Sequence, residues 1–383
     1  MNMKCYRCSN TDPAYFYFDQ GVYYCRKCIM FSRLDANTKI KPVSLTHKII
    51  QIQPKLKYEL TTKQKEVSFK VCQLLKEGND VFLYACTGAG KTEITLESIC
   101  YYLSQGKKVG FAISRRQVVL EIRDRLQKIF PSLHIVAVTQ GYTKDTDGDI
   151  IVCTMHQLYR YPYAFDLLIM DEVDAFPYIG NDVLSSIASL SCTGQKLYLS
   201  ATPDKTLLEK SKVVTLFQRP HGKPLLIPEV IVSPVFLQLF CILYYVKKWK
   251  EKQCLIFVPR RKDCIWLHYF LLPFVSNSFI HSQITNKDEI IDQFHQKKFQ
   301  CLISTTLLER GITIPDVSVI VFSTDHIVYT VSTLIQILGR VGRSFSDPYG
   351  KGVLLCQSIS PSIKECIHQL KQMNKDVESV MLK

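Results

Sequence analysis

Two short motifs near opposite ends of the chain limit what it can fold into. Residues 85–92 read Ala-Cys-Thr-Gly-Ala-Gly-Lys-Thr, a phosphate-gripping loop. Residues 336–343 read Gln-Ile-Leu-Gly-Arg-Val-Gly-Arg, which carries a pair of arginines. About 250 residues separate them, too many for one small nucleotide-binding unit. The spacing predicts that each motif sits on its own lobe and that both lobes serve one nucleotide. A chain built so opens and closes as it hydrolyses.

The intervening pattern supports two lobes. From about Leu60, short apolar runs, turn residues and helical stretches alternate, which predicts a parallel α/β sheet. Val81–Cys86, Lys108–Ser114, Ile150–Thr154, Leu167–Met170 and Lys196–Ser200 read as strands, with Thr92–Ser104 and Gln117–Ile129 as helices. A second cycle follows the Pro-rich stretch Arg219–Pro228, with Cys254–Val258, Cys301–Thr305 and Val317–Phe322 as its clearest strands. At 383 residues, 47% hydrophobic and 21% charged, the chain can fill two such cores and something small besides. The predicted fold class is α/β: two RecA-like parallel-sheet lobes with an N-terminal four-cysteine zinc knuckle. The predicted divisions are 1–40 knuckle, 41–57 connector, 58–215 first lobe, 216–230 linker and 231–383 second lobe.

A strand feeding a glycine-rich turn and then a helix is the context a phosphate loop requires. Backbone N–H groups of Thr87, Gly88, Ala89 and Gly90 can curl around phosphate oxygens, with the helix N-terminus facing the negative charge. Lys91 is expected to reach the β- and γ-phosphates, and the Thr92 hydroxyl to ligate Mg²⁺. The apolar run Asp166–Met170 ends in Asp171-Glu-Val-Asp174. Asp171 is expected to hold Mg²⁺, mostly through water, and Glu172 to polarise the attacking water. A chance glycine-rich turn and a solvated acidic turn are the plainer alternatives, and the order and spacing of the two motifs weigh against both. Ser200-Ala-Thr202 after a strand fits a third motif that couples the ATP site to nucleic acid. Thr61-Thr-Lys-Gln64 resembles the start of a Q motif, in which Gln64 would read the adenine edge.

In the second half, Cys301–Thr313 resembles motif V of helicases, with Thr305 near a nucleic-acid backbone and Gly311 near the nucleotide. Gln336 through Arg343 resembles motif VI. Gln336 is a nucleotide-site candidate, and Arg340 and Arg343 would stabilise charge on the transferring phosphoryl once the lobes close. Arginine suits this because it stays charged and forks onto phosphate oxygens. Candidate nucleic-acid contacts are Arg115, Arg116, Thr154 and Thr305, which would grip backbone without reading sequence. For Arg115 and Arg116 ordinary solvation is the alternative, and His156 is equally a local hydrogen-bonding group.

The net charge of +14, from 48 basic against 34 acidic residues, suits a polyanionic partner, with a Lys-rich background as the alternative. Residues 1–60 hold ten Lys/Arg against four Asp/Glu, an excess of six. Of fifteen cysteines, eleven are scattered singly through expected core elements, as free cysteines of a reducing compartment are. The other four form Cys5-x-x-Cys8 and Cys25-x-x-Cys28, a zinc signature in which two tight turns each supply two thiolates. No fifth ligand is implied, so the zinc is expected to be structural. Tyr6, Arg7, Tyr23, Tyr24, Arg26 and Lys27 surround these cysteines, and suit either single-strand stacking or a small core. The apolar stretches Val235–Val246 and Ile265–Val275 are too short to span a bilayer. The start, Met1-Asn-Met-Lys-Cys, has no apolar signal core. The expected location is the cytoplasm.

Taken together the motifs resemble superfamily 2 helicases of the DEAD/DEAH-like type over roughly residues 58–345, including the alanine that opens the phosphate loop. The four-cysteine knuckle, Asp171-Glu-Val-Asp-Ala-Phe-Pro-Tyr178, the linker Arg-Pro-His-Gly-Lys-Pro and Thr-Thr-Leu-Leu-Glu-Arg-Gly narrow this further. With them the chain resembles the ComFA family, late-competence DNA-uptake ATPases of Gram-positive bacteria. One departure is Arg115, where that family usually has proline before the arginine matched by Arg116. The resemblance implies a motor using ATP, Mg²⁺ and Zn²⁺ at the inner face of the membrane, without a transmembrane segment of its own. Its partners would be single-stranded DNA, other competence proteins and the membrane DNA-uptake channel. The rival readings are an RNA helicase of the same superfamily and a non-motor adaptor gated by ATP.

Overall fold

The computed structural model describes residues 3–306, 316–345 and 347–381. The chain divides into two compact units: Met1–Ala85 with Lys91–Leu216, and Cys86–Gly90 with Phe217–Lys383.

The first unit opens on a small antiparallel hairpin, β1 (Phe16–Asp19) and β2 (Val22–Cys25), in which Phe16 faces Cys25. Its turn residues Gln20 and Gly21 both have positive φ, the backbone that matches the twist of a two-residue hairpin. Residues 36–57 contain no regular helix or strand and are tied along the unit by backbone bonds from Val43 to Pro162, Ile50 to Leu103 and Lys55 to Ile129. The main sheet holds β3 (Val81–Ala85), β4 (Val109–Ile113), β5 (Ile135–Val138), β6 (Ile150–Thr154), β7 (Phe165–Asp171), β8 (Cys192–Ser200) and β9 (Lys212–Leu216). Their order is β5-β6-β4-β7-β8-β3-β9, every pair parallel. Helices cover such a sheet on both faces, which is why β4, β5 and β6 are buried along their whole length.

The second unit has a parallel six-stranded sheet of β10 (Glu229–Val232), β11 (Cys254–Phe257), β12 (Asn277–Ile280), β13 (Cys301–Ser304), β14 (Ser318–Val321) and β15 (Lys351–Cys356). Its order is β10-β15-β14-β11-β13-β12. Ile242, Trp249, Ile256, Leu267, Ile303, Ile320 and Leu355 belong to its core. These are the two RecA-like lobes expected from the sequence. Among the described residues no helix is long and apolar enough to cross a membrane.

One local expectation is corrected. Thr92–Ser104 is not one helix but two, Lys91–Ile94 and Leu96–Ser104. The Thr95 hydroxyl bonds back to Thr92 O at 2.7 Å and Ser68 Oγ bonds Ile94 O at 2.9 Å, taking carbonyls the helix would otherwise use.

Candidate active site and metal centre

Three strand ends in the first unit converge. β3 and β7 are separated by β8, all three parallel, with Asp171 opposite Leu199 and Tyr84 opposite Ser200. The phosphate loop, the Asp171–Asp174 acids and Ser200–Thr202 therefore leave the sheet at one level of one edge. Carboxyl ends of parallel strands are where open α/β sheets bind ligands.

Gly88 and Gly90 have φ of +80° and +84°, which side chains other than glycine rarely adopt. These bends turn successive N–H groups inward, the concavity that receives an anion. Lys91 Nζ donates to Ala85 O at 3.2 Å, at the end of β3, and Thr92 is buried next to it in sequence. Asp171 lies at the end of β7, buried. Burial pushes its carboxyl up to about 6, the attraction of Lys91 opposing that rise and the charge of Glu172 adding to it. Such a carboxyl is costly as a lone charge and is relieved by a bound cation. Glu172 has φ +56°, a left-handed turn unusual for a side chain of its size, and its N–H bonds Asp171 Oδ1 at 2.9 Å. These donors and acids suit a magnesium nucleotide.

Asp174 was not singled out from sequence as a site residue. It accepts a hydrogen bond from Ser200 Oγ at 2.8 Å, and Ser200 Oγ also receives the Thr202 N–H at 3.0 Å. The acid motif and Ser200-Ala-Thr202 are thus joined directly, and the fourth letter of Asp-Glu-Val-Asp was the signal available. Gln64 is the third residue of the helix Thr62–Lys76. Its side-chain oxygen accepts the Thr61 N–H at 3.0 Å, in a reciprocal cap that fixes where the helix starts.

In the second unit, Gln336 lies buried on the helix Val331–Leu338 and Arg340 follows it, also buried. Arg343 Nε donates to Gly339 O at 2.8 Å. A residue missed from sequence stands among them. Arg219, in the linker, is 3% exposed, with Nε on Thr87 O at 2.9 Å, Nη1 on Val341 O at 2.7 Å and on Gly342 O, and Nη2 on Gly339 O at 3.2 Å. A fixed fork of five donors can satisfy four carbonyls at once, which lysine cannot. Within this unit one guanidinium therefore spans the phosphate-loop backbone and the arginine-pair segment. The signal available for it was its place at the head of the linker Arg-Pro-His-Gly-Lys-Pro, a stretch that carried the resemblance and not the site.

Of the nucleic-acid candidates, Arg115 precedes the helix Arg116–Ile129, and Arg116 lies over the Tyr142 ring at 5.7 Å. Thr154 ends β6 and opens the short helix Met155–Arg160. Thr305 follows β13, its carbonyl accepting Ser304 Oγ at 2.8 Å. Gly311 lies outside the described residues.

The four N-terminal cysteines converge, all buried, with their sulfurs within 4.8 Å of one another. Cys5 and Cys28 Sγ are 3.6 Å apart and Cys8 and Cys25 Sγ 3.7 Å. Disulfide sulfurs sit at about 2.05 Å, whereas four thiolates about 2.3 Å from a tetrahedral zinc are about 3.8 Å apart. The residues fit zinc. Contact with Cys28 and then Cys8 pulls the Cys5 thiol down, while contact with Cys5 and Cys8, and burial, push Cys28 up. Of the residues around the cysteines that suit either single-strand stacking or a small core, Arg7 is buried, with Nη1 on Ser32 O at 2.8 Å and 4.0 Å from Cys28 Sγ, where its charge offsets that of the thiolates. The cysteines share one apolar core with the first lobe through Phe31, whose ring stacks 6.0 Å from His156 and lies 5.5 Å from Tyr159. That burial pulls the His156 imidazole below its usual range.

Known proteins place these features. Residues 236–345 match the helicase conserved C-terminal domain, and residues 57–205 match the res subunit of type III restriction enzymes. Competence protein ComFA of Streptococcus pneumoniae strain R6 is 33% identical over 97% of this chain and 90% of its own length. Competence protein ComFA of Bacillus subtilis strain 168 is 29% identical over 97% and 86%. Among solved structures, S. cerevisiae Dbp5 bound to RNA and ADP BeF3 superposes with a TM-score of 0.59 at 14% identity, covering 83% of this chain and 92% of that one. At that identity the likeness speaks for the fold.

Proposed function

The chain belongs to the ComFA family of competence proteins within the superfamily 2 helicases, and from that premise we propose that it pulls single-stranded DNA into the cell during transformation. It is a competence-related, nucleic-acid-dependent ATPase of helicase type. In our reading Gln64 meets the adenine edge, and the Thr87–Gly90 backbone and Lys91 bind the phosphates. Thr92 and Asp171 hold the magnesium nucleotide, which presents the γ-phosphoryl as an electrophile. Glu172 orients the attacking water and takes its proton. Gln336 supports the site, and Arg340 and Arg343 place positive charge on the departing phosphoryl when the lobes close. Gly311 completes the nucleotide contacts. Arg115, Arg116, Thr154 and Thr305 grip the DNA backbone, and Cys5, Cys8, Cys25 and Cys28 hold a structural zinc. The motor works at the inner face of the membrane with other competence proteins and the DNA-uptake channel.

The convergence of Lys91, Asp171 and the Ser200–Asp174 bond at one sheet edge carries the motor part of this reading. A binding switch does not need a hydrolytic acid beside a motif-coupling bond. The test is ATP turnover with single-stranded DNA, single-stranded RNA, duplex DNA and no nucleic acid. Single-stranded DNA is expected to stimulate most, and Glu172→Gln to reduce turnover at least about a hundredfold with nucleotide still bound. Equal stimulation by RNA would favour the RNA-helicase reading, and undiminished turnover by the variant would remove Glu172 from the chemistry.

A further inference from the structure

The cysteine knuckle carries aromatic side chains that its own core does not use. Phe16 and Phe31 are its buried rings. Tyr15, Tyr17, Phe18 and Tyr23 are instead 44%, 52%, 55% and 45% exposed, and none of them belongs to the core that the knuckle shares with the first lobe. Phe18 and Tyr23 pair with each other across the hairpin, on the face opposite Tyr17. Tyr15, in the turn just before β1, and Tyr17 are left as large exposed rings that are costly in water and mark an interaction surface.

The chemistry beside them indicates the partner. Lys27 lies over the Tyr15 ring at 5.5 Å and Arg26 over the Tyr17 ring at 5.7 Å. Neither cation has a carboxylate partner among the described residues, whereas Arg33 is occupied by Asp19 at 2.6 Å and Asp35 at 3.0 Å. Tyr15 and Tyr17 thus each stand beside a cation left for an outside anion. A flat π-face next to an available positive charge is the unit by which proteins hold single strands, the ring taking a base and the cation its phosphate. The hairpin is also anchored at a relevant place. Phe31 packs on His156 and Tyr159 of the short helix that begins directly after Thr154, a candidate backbone contact.

We propose that Tyr15 and Tyr17, at the start of the β1–β2 hairpin, form a second single-stranded DNA site, in which these two rings stack bases while Arg26 and Lys27 hold phosphates. The zinc cluster fixes the hairpin, and the Phe31 contact fixes it to the first lobe. This deepens the proposed function and rests on it. A strand held at the knuckle stays bound while the lobes change their grip, so that slippage between ATP cycles is limited.

The experiment measures binding of the full chain, zinc loaded, to fluorescent oligo(dT) and to an abasic oligomer of equal length. Tyr15→Ala/Tyr17→Ala is expected to weaken oligo(dT) binding about tenfold or more and to leave abasic binding within about twofold of wild type. Arg26→Ala/Lys27→Ala is expected to weaken both probes and to flatten the salt dependence by about 1.4 in log–log slope. Zinc content and melting temperature verify that each variant folds, and basal ATPase activity is expected to be unchanged. Unchanged oligo(dT) affinity in a folded Tyr15→Ala/Tyr17→Ala variant would overturn the site and leave the hairpin as a protein-docking face. An equal loss on both probes would overturn base stacking. Failure of the wild-type protein to bind oligo(dT) would instead sink the single-stranded DNA reading on which the site rests.

Discussion

Replacing Asp171 by asparagine is expected to stabilise the metal-free protein at neutral pH while abolishing ATP hydrolysis. Burial raises this carboxyl from 3.8 to about 6, net of the attraction of Lys91. Below about pH 4 the group is protonated whether the chain is folded or not, and it costs nothing. Between about pH 4 and 6 the unfolded chain releases the proton and the folded chain keeps it, so the folded state weakens as pH rises. Above about pH 6 the cost is constant, and a shift of this size corresponds to about 3 kcal/mol. The amide cannot ionise, and it retains an oxygen for the Glu172 N–H that now bonds Oδ1 at 2.9 Å. Thermal unfolding in EDTA from about pH 4 to 8 reads the effect. The variant is expected to melt with wild type near pH 4 and roughly 6–12 °C above it at about pH 7.5, given about 2–4 °C per kcal/mol in a lobe of this size. A neutral amide is a poor ligand for a hard divalent cation, so magnesium-dependent turnover is lost in the same variant. Parallel pH profiles, or a variant less stable than wild type at neutral pH, would refute the account of Asp171 as a buried charge awaiting a cation.

Ser200→Ala removes both the bond to Asp174 and the acceptor of the Thr202 N–H, leaving buried polar atoms without their partners. A loss of about 3 kcal/mol is expected, with Ser200→Thr restoring most of it, and a melting temperature within about a degree of wild type would contradict this. Cys5→Ser is expected to abolish zinc binding and to open residues 1–35 to protease while both lobes stay folded. Because the knuckle shares a core with the first lobe through Phe31, that lobe should also melt a few degrees lower. Full zinc occupancy in this variant would sink the four-cysteine assignment.

How much was legible varied with how local each signal is. The central strands announced themselves, because a strand buried on both faces must be apolar throughout, as Val109–Ile113 is. The outer strands Ile135–Val138 and Lys212–Leu216 did not, being short or polar on one side. The break at Thr95 could not be read either, since it depends on Ser68 arriving from another helix. Arg7 shows the same limit at the site. Its neighbours in sequence are aromatic and basic, and only the folded turns show it capping Ser32 and facing a cysteine sulfur.

By itself the sequence determined the chemistry available to this protein. Glycines that reach positive φ, a lysine and threonine opening a helix, two acids ending a strand and two Cys-x-x-Cys turns are short-range patterns, complete within a few residues. Tertiary structure alone decided which groups act on one another. It bonded Ser200 to Asp174, ran Arg219 from the phosphate-loop backbone to the carbonyls of the arginine-pair segment, and set Phe31 of the knuckle against His156. It also left Tyr17 and Phe18 in solvent while burying Phe16, which faces Cys25 across the hairpin. The reason is physical: a hydrogen bond or a buried ring depends on distances of a few ångströms, and residues far apart in the chain reach those distances only when the sheets and their loops are in place.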